Sequence, residues 1–209
     1  NIHHLAIEDA LRTRHPPKIE FFDGQLFILY RGIEKINGSL DFTHQQIGFF
    51  IAKNFIISIH PKKSPGISKT LDQLSELKQV SPLTIALKIM RNASSLYLEN
   101  MHAFETQLSD LEDDLHNKGS DLLLGQLTLY KSKLLKLIRG FNYHTAISKG
   151  LLNEGDEYEF LNYEEHVHAI NDLHDRFDRL ATLSQMHYDI CCDLVEGYLS
   201  ILAHHLNNT

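Results

Sequence analysis

The sequence has few of the features that assign a chain to several common classes. Its 209 residues include only two cysteines, and no apolar run reaches the roughly 18–20 residues of a membrane-spanning helix. Cys191 and Cys192 are neighbours in a helical pattern, so their side chains point about 100° apart and an intrachain disulfide is unfavourable. We therefore expect two reduced thiols in a cytosolic chain that is soluble as given.

Basic residues are outnumbered by acidic ones. Twenty Lys and Arg against 27 Asp and Glu give a formal net charge of −7. A nucleic-acid binder needs a basic stripe to displace counterions, so we expect no nucleic-acid partner. The motifs of enzymes are missing as well, since there is no Gly-rich phosphate loop, no HExxH and no GxSxG, and we predict a protein that is not an enzyme. The 14 histidines keep metal binding open.

The first 80 residues favour strands. KIEFF (18–22) and QLFILYRG (25–32) are rich in β-branched and aromatic residues and are separated by a turn. IGFFIAKNFIISIH (47–60) predicts a hairpin, and its almost continuous apolar character predicts strands that are covered on both faces. ISKTLDQLSELKQV (67–80) predicts a short amphipathic helix.

From Ser81 onward the pattern is helical. Ser81 followed by Pro82 is typical of a helix start, and the first long helix should end near His116. A second helix is expected over about 121–151, antiparallel to the first because the connection is short.

A third helix is predicted from about Tyr158 to the end of the chain, because no proline interrupts this stretch. Its roughly 50 residues would span about 75 Å. Apolar residues recur at the 3-4-3 spacing of coiled coils, and then change phase. The residues before the change are Ile170, Leu173, Phe177 and Leu180, and those after it are Leu183, Met186 and Ile190. Two interpretations are open: a bundle helix containing an unseen loop, or a stalk that packs against copies of itself.

Three segments in succession resemble the CorA-type magnesium and cobalt channel family, which includes a zinc-transporting ZntB branch. HHLAIEDALRTRHPPKIEFFDGQLFILYRG (3–32) is similar to the family pattern H-P-L-ED-L…RPK-E…LF, although His4 replaces its proline. LSDLEDDL (108–115) is similar to the acidic first helix of the paired "willow" helices. CDLVEGYLSILAHHLNNT (192–209) is similar to the end of the stalk helix before the first transmembrane segment.

The resemblance implies a fold and an assembly. The fold would be α+β, with a mixed β-sheet packed between helices. Residues 1–80 would form the sheet part, 81–154 the willow helices and 155–209 the stalk. The family's earlier strands, membrane segments and Gly-Met-Asn loop are not in this sequence, so we expect a piece of a longer protein. That protein would be a homopentamer at the cytoplasmic face of the cell membrane, whereas the piece alone could be a monomer.

The adjacent acids Glu8 and Asp9 are the first candidate metal ligands. Proteins hold Mg²⁺ through one or two carboxylates and several waters, so a second element would have to contribute. Asp172 and Asp175 are three residues apart and share a helix face. The resemblance implies that a divalent ion joins Asp9 of one subunit to Asp172 of its neighbour. The alternative is a solvated turn in which Arg12 or Arg14 neutralises the acids.

The resemblance also implies how such ions would regulate transport. Bound Mg²⁺ or Co²⁺ would hold neighbouring subunits in a closed arrangement, and loss of the ions would allow the stalks to move. Arg91 stands where the family's auxiliary site has an acid, which argues against a second ion there.

A stripe near the end of the stalk is a candidate pore mouth. Glu196, Ala203 and Asn207 follow i, i+7, i+11, and in the family the corresponding positions line the cytoplasmic entrance. The alternative is ordinary solvent-facing polarity. His168 with Asp172, or His174 with Asp178, could bind Zn²⁺ if a third ligand came from elsewhere, so a zinc transporter remains an alternative. A further alternative is an interaction module with a coiled-coil arm and no transport activity.

Overall fold

The computed structural model describes residues 2–12, 15–76, 78, 80–118 and 121–207. Strands and short helices come first and three long helices follow. In chain order the elements are α1 (His4–Leu11), β1 (Lys18–Phe22), β2 (Gln25–Gly38), β3 (Asp41–Ala52), β4 (Ile56–Ile59), α2 (Pro65–Gln73), α3 (Pro82–Lys118), α4 (Asp121–Glu154) and α5 (Tyr163–Asn207). One 3-10 turn follows α2 (Leu74–Glu76) and two precede α5 (Gly155–Glu157, Glu159–Leu161).

The four strands form one sheet in the order β1-β2-β3-β4, and every neighbouring pair is antiparallel. The α+β class is thus as predicted, but the sheet of the described residues is not mixed. The reason is that short turns join consecutive strands, whereas parallel pairing needs a long crossover. The β2–β3 turn places Leu40 at φ 53°, and Asn100 of α3 holds it by accepting from the Leu40 N–H at 2.9 Å and donating to the Gly38 carbonyl at 3.0 Å.

The two faces of the sheet are covered by different elements. Alternate residues of β2, such as Leu26 and Ile28, join the core formed with the long helices. The residues between them, including Phe27 and Leu29, pack with Ala6 and Ala10 of α1. A methyl group on Gly48 of β3 would lie only 3.0 Å from the Ala10 Cβ, so glycine permits this close approach of α1. The predicted double coverage is therefore found for β3, whereas no residue of β4 is fully buried.

The long helices form a three-helix arrangement with α5 against both others. Ring contacts show that α3 and α4 run antiparallel, since Tyr97 meets Phe141 and Phe104 meets Tyr130, each pair with centroids 4.9 Å apart. α5 is unbroken over 45 residues, which excludes the unseen loop. It begins later than predicted because Asn162 adopts a left-handed conformation (φ 47°) directly before it.

The buried seam of α5 keeps one phase throughout, so the predicted change of phase is wrong. Met186 is 43% exposed. Instead the seam continues through small and polar residues, and its members are His166, Ile170, Leu173, Phe177, Leu180, Ser184, His187 and Cys191. Both cysteines are free. Beyond Cys191 no described residue of α5 is buried. Across the described part of the chain, no helix has the length and apolarity required to span a membrane.

Candidate functional site

Asp9 is surrounded by basic side chains of its own chain. Its Oδ2 lies 2.6 Å from the Lys18 Nζ, and its Oδ1 lies 3.7 Å from an Arg12 guanidinium nitrogen and 3.9 Å from His15 Nε2. The side chain is only 16% exposed. The hydrogen bond from Lys18 holds the pKa of Asp9 below its ordinary value, in spite of the opposing effect of burial. Asp9 is therefore an ionised carboxylate with a fixed counter-charge.

Glu8 has a separate partner. Its Oε1 accepts from Arg12 at 3.2 Å, and more than half of each side chain is exposed. The Glu8–Arg12 pair matches the alternative in which a local arginine neutralises the acids. Arg14, the other arginine of that alternative, lies outside the described residues. Lys18, the main partner of Asp9, was missed because no periodicity links a helix residue to a strand nine positions later.

Asp172 is likewise paired within the chain. Its Oδ2 lies 2.9 Å from Arg176 Nε, one turn along α5, and 3.1 Å from Arg91 Nε on α3. Arg91 thus supplies a positive charge beside Asp172, at the position where the resemblance would place another acid. Asp175 is exposed and makes no ion pair with any described residue.

A single chain does not assemble a complete metal centre from these acids. Asp9 belongs to α1, which covers the sheet face opposite the long helices, whereas Asp172 lies on α5 beside α3. Within the described ranges, no group of three or more His, Cys, Asp or Glu side chains is placed to hold a metal ion. A site that uses both aspartates would need two subunits.

The stalk histidines have structural partners. His166 is buried, with Nε2 2.7 Å from the Ser81 hydroxyl and Nδ1 2.9 Å from the Asn162 carbonyl, so it ties the start of α5 to the start of α3. His174 Nδ1 lies 3.0 Å from the Ser148 hydroxyl of α4. His168 is exposed, and Asp172 faces arginines rather than this histidine.

The three candidate pore-mouth residues lie on the part of α5 that no other element buries. Glu196, Ala203 and Asn207 are all exposed in the single chain. The helix continues through all three, so their shared stripe is preserved.

Comparison with known proteins extends over the whole chain. The family described as "CorA-like Mg2+ transporter protein" matches residues 1–209. The curated "Putative metal ion transporter YfjQ" of Bacillus subtilis (strain 168) is 22% identical over 212 residues, which cover 99% of this chain and 64% of that protein. This chain therefore spans less than two thirds of that relative.

Solved structures show the same fold. The complete structure of the CorA magnesium transporter from Methanocaldococcus jannaschii matches with a TM-score of 0.84 and 16% identity, over 99% of this chain and 65% of that one. The ZntB cytoplasmic domain from Vibrio parahaemolyticus RIMD 2210633 matches with a TM-score of 0.70 and 14% identity, over 100% of this chain and 80% of that one.

An α+β domain that continues into one long helix is thus shared with proteins of metal-ion transport. The chain belongs to the CorA-like Mg2+ transporter family. The resemblance found in the sequence is confirmed.

Proposed function

We propose that this chain is the cytosolic regulatory domain of a homopentameric channel for divalent cations, Mg²⁺ or Co²⁺, at the cytoplasmic face of the cell membrane. The observation that carries the proposal is the end of α5. This helix extends beyond its own bundle, has no buried residue after Cys191, and exposes about half of Leu199 and Ile201. Apolar side chains on a helix without intrachain cover favour packing against further helices.

The exposed end of α5 would place a polar stripe around the axis of such an assembly. Glu196 would form a ring of carboxylates that concentrates cations. The amide oxygens of Asn207 would contact a hydrated ion, and Ala203 between them would leave room for its water shell. Segments beyond this chain would provide the membrane part.

We further propose that a divalent ion bridges Asp9 of one subunit and Asp172 of the next, with Glu8 and Asp175 adding negative charge. Lys18 and Arg91 already neutralise the two aspartates, so the ion would have to displace these cations or share the carboxylates with them. Such competition favours a weak, reversible site, as a sensor of cellular Mg²⁺ requires. Loss of the ion would release the subunits from the closed state.

Protease protection tests the sensing site. Increasing Mg²⁺ should protect the assembled full-length protein from protease. Asp9→Asn or Asp172→Asn should raise the Mg²⁺ concentration that is required for this protection. Asp189→Asn on the exposed side of α5 is the matched control and should behave like the parent. If both site variants respond like the parent, the assignment of Mg²⁺ sensing to these aspartates is wrong. The proposed transport function does not depend on this result.

Two measurements distinguish the remaining alternatives. Calorimetric titration with Mg²⁺, Co²⁺ and Zn²⁺ compares the ions directly, and preference for Zn²⁺ would favour the zinc transporter. The coding sequence after Thr209 addresses transport: two apolar spans of about 20 residues would support a channel. A hydrophilic end would favour an interaction module.

A further inference from the structure

Two adjoining cavities lie beside the sheet, away from Asp172. The larger, of about 930 Å³, is bounded by the chain before β1, by β2 and β3, by the loop after β4, and by Arg139 and Tyr143 of α4. The smaller, of about 430 Å³, lies between β3, Tyr97 of α3 and α4. Arg31 and His44 line both cavities, so the two cavities adjoin, and together they are called the site below.

The walls of this site are strongly basic, although the chain as a whole carries a net charge of −7. Six cationic side chains line the two cavities, against the two carboxylates of Glu34 and Asp41. The cations are Arg12, Arg31, Lys62, Lys133, Lys136 and Arg139. Such a concentration of one sign in a concave surface produces a local positive potential.

Most of these cations have no carboxylate partner in the described part of the chain. Arg12 pairs with Glu8, and the Lys133 Nζ lies 3.6 Å from an Asp41 carboxylate oxygen. Among the described residues, no acid forms an ion pair with the remaining four, which are Arg31, Lys62, Lys136 and Arg139. The site therefore has an excess of positive charge that its own carboxylates do not neutralise.

Two buried polar side chains that line the cavities also lack hydrogen-bond partners among the described residues. Tyr30 lines the larger cavity and His144 the smaller, and their exposed fractions are only 1% and 2%. Neither the Tyr30 hydroxyl nor either ring nitrogen of His144 makes a hydrogen bond to a described residue. The Arg31 backbone is near enough to influence His144, but not in hydrogen-bonding geometry. Buried polar groups are rarely left unpaired, so these atoms indicate where ligand atoms would bind.

Burial lowers the pKa of His144 to about 3 and that of His44 to about 4. Both imidazoles are thus neutral at pH 7 and can each donate one hydrogen bond without adding charge. The positive charge that attracts an anion must therefore come from the arginines and lysines, whereas the histidines would provide hydrogen bonds.

We propose that the two cavities together bind a small molecule that carries a phosphate group. Four unpaired cations exceed the single charge of a carboxylate and suit the two or more charges of a phosphate, which Arg binds through paired N–H donors. The combined volume accommodates a ligand of nucleotide size. The ligand would contact α4, whose His144 packs 4.8 Å from Phe177 of α5, so binding would touch the helix that we propose as the stalk.

Calorimetry in EDTA-containing buffer tests the proposal without divalent ions. The probes are inorganic phosphate, pyrophosphate and ATP, with adenosine as the uncharged control. We expect saturable binding of at least one phosphate compound and none of adenosine. Binding of ATP alone would identify a nucleotide as the source of the phosphate, and binding of pyrophosphate as well would show that the phosphate group suffices.

Charge variants identify the location. Arg31→Gln and Lys136→Gln should each weaken binding by about tenfold or more, since each removes a charge-assisted hydrogen bond. Arg179→Gln on α5 and Lys149→Gln on α4 remove the same charges outside the cavities and should change affinity less than about twofold. Equal losses in all four variants would mean nonspecific attraction and would overturn the proposal.

Tyr30→Phe provides a test that does not depend on charge. It removes the unpaired hydroxyl but keeps the ring, so the melting temperature without ligand should be unchanged or higher. The rise in melting temperature on adding ligand should be smaller than in the parent. If none of the three phosphate compounds binds the parent at millimolar concentration, the cavities hold only water and the proposal is wrong.

Discussion

At the scale of single residues, neighbouring basic side chains determine how readily the candidate acids could bind a metal ion. Asp9 and Asp172 each lie within 4 Å of two or more basic side chains of their own chain. A divalent ion bound here would meet carboxylates that are already neutralised, which would lower the gain from binding.

Removing Lys18 should reverse this effect at Asp9. In Lys18→Met the pKa of Asp9 should rise toward its ordinary value, because the lysine hydrogen bond is the main cause of its depression. The ion pair itself should contribute no more than about 1 kcal/mol to stability. Carboxyl NMR titration measures the pKa, and Lys149→Met is the control.

The same variant bears on metal binding. If Asp9 is a ligand, Lys18→Met should bind Mg²⁺ more tightly in the assembled protein, since the competing cation is gone. Unchanged or weaker binding would contradict a direct role for Asp9.

Buried histidines should make the fold sensitive to acid. His144 and His44 have folded pKa values of about 3 and about 4, below the unfolded value of about 6.5. Between these values the unfolded state binds more protons, so the free energy of unfolding should fall as the pH falls below about 6.5. Each histidine should contribute up to about 1.4 kcal/mol per pH unit.

Urea unfolding at pH 7, 5.5 and 4.5 measures this slope. His144→Phe keeps the stacking against Tyr30 and should reduce the slope, whereas His168→Gln changes an exposed histidine and should not. An identical slope in His144→Phe and the parent would contradict the assignment.

At the scale of elements, local signals predicted most of the secondary structure. Ser81 and Pro82 located the start of α3. Enrichment in β-branched and aromatic residues located β1 and the first part of β2, and the apolar run over 47–60 located the β3–β4 hairpin. The phase of α5 failed because its seam contains polar residues that only tertiary contacts explain. His187 packs its Nδ1 3.2 Å from the Met101 sulfur and its ring against Phe104, and Ser184 donates to the Leu180 carbonyl. Hydrophobicity alone therefore favoured Leu183 and Met186.

Paired truncations distinguish the observed seam from the predicted one. Leu180→Ala should lower the free energy of unfolding by about 2–5 kcal/mol, because it leaves a cavity in the core. Met186→Ala should change it by no more than about 0.5 kcal/mol, because this side chain is 43% exposed. Urea titration measures both values. A loss at Met186 as large as that at Leu180 would restore the predicted phase.

At the scale of the whole molecule, the partners of the candidate residues come from distant parts of the sequence. Asp172 meets Arg91 across 81 positions, and the basic cavities combine the start of the chain, the sheet and α4. The family resemblance could identify Asp9 and Asp172 as acids of interest. It could not predict Lys18 or Arg91 as their partners, since ion pairs between elements follow from the packing of a particular chain.

The two parts of α5 are stabilised to different degrees by the rest of the chain. Residues 163–191 are held by the buried seam, whereas residues 194–206 have no fully buried side chain, and only Leu194, Val195 and Tyr198 among them pack partly against the core. An isolated stretch of this length is a marginal helix in water. At micromolar concentration, amide hydrogen exchange should therefore be at least about tenfold faster in 194–206 than in 163–191.

If copies pack along this surface, protection of 194–206 should increase with protein concentration. Leu199→Gln should remove that increase without altering exchange in 163–191, and Leu129→Gln, which changes an exposed leucine of α4, should leave it intact. Protection of 194–206 that equals that of 163–191 at every concentration would mean that the single chain stabilises the whole helix. The exposed end would then carry no argument for assembly.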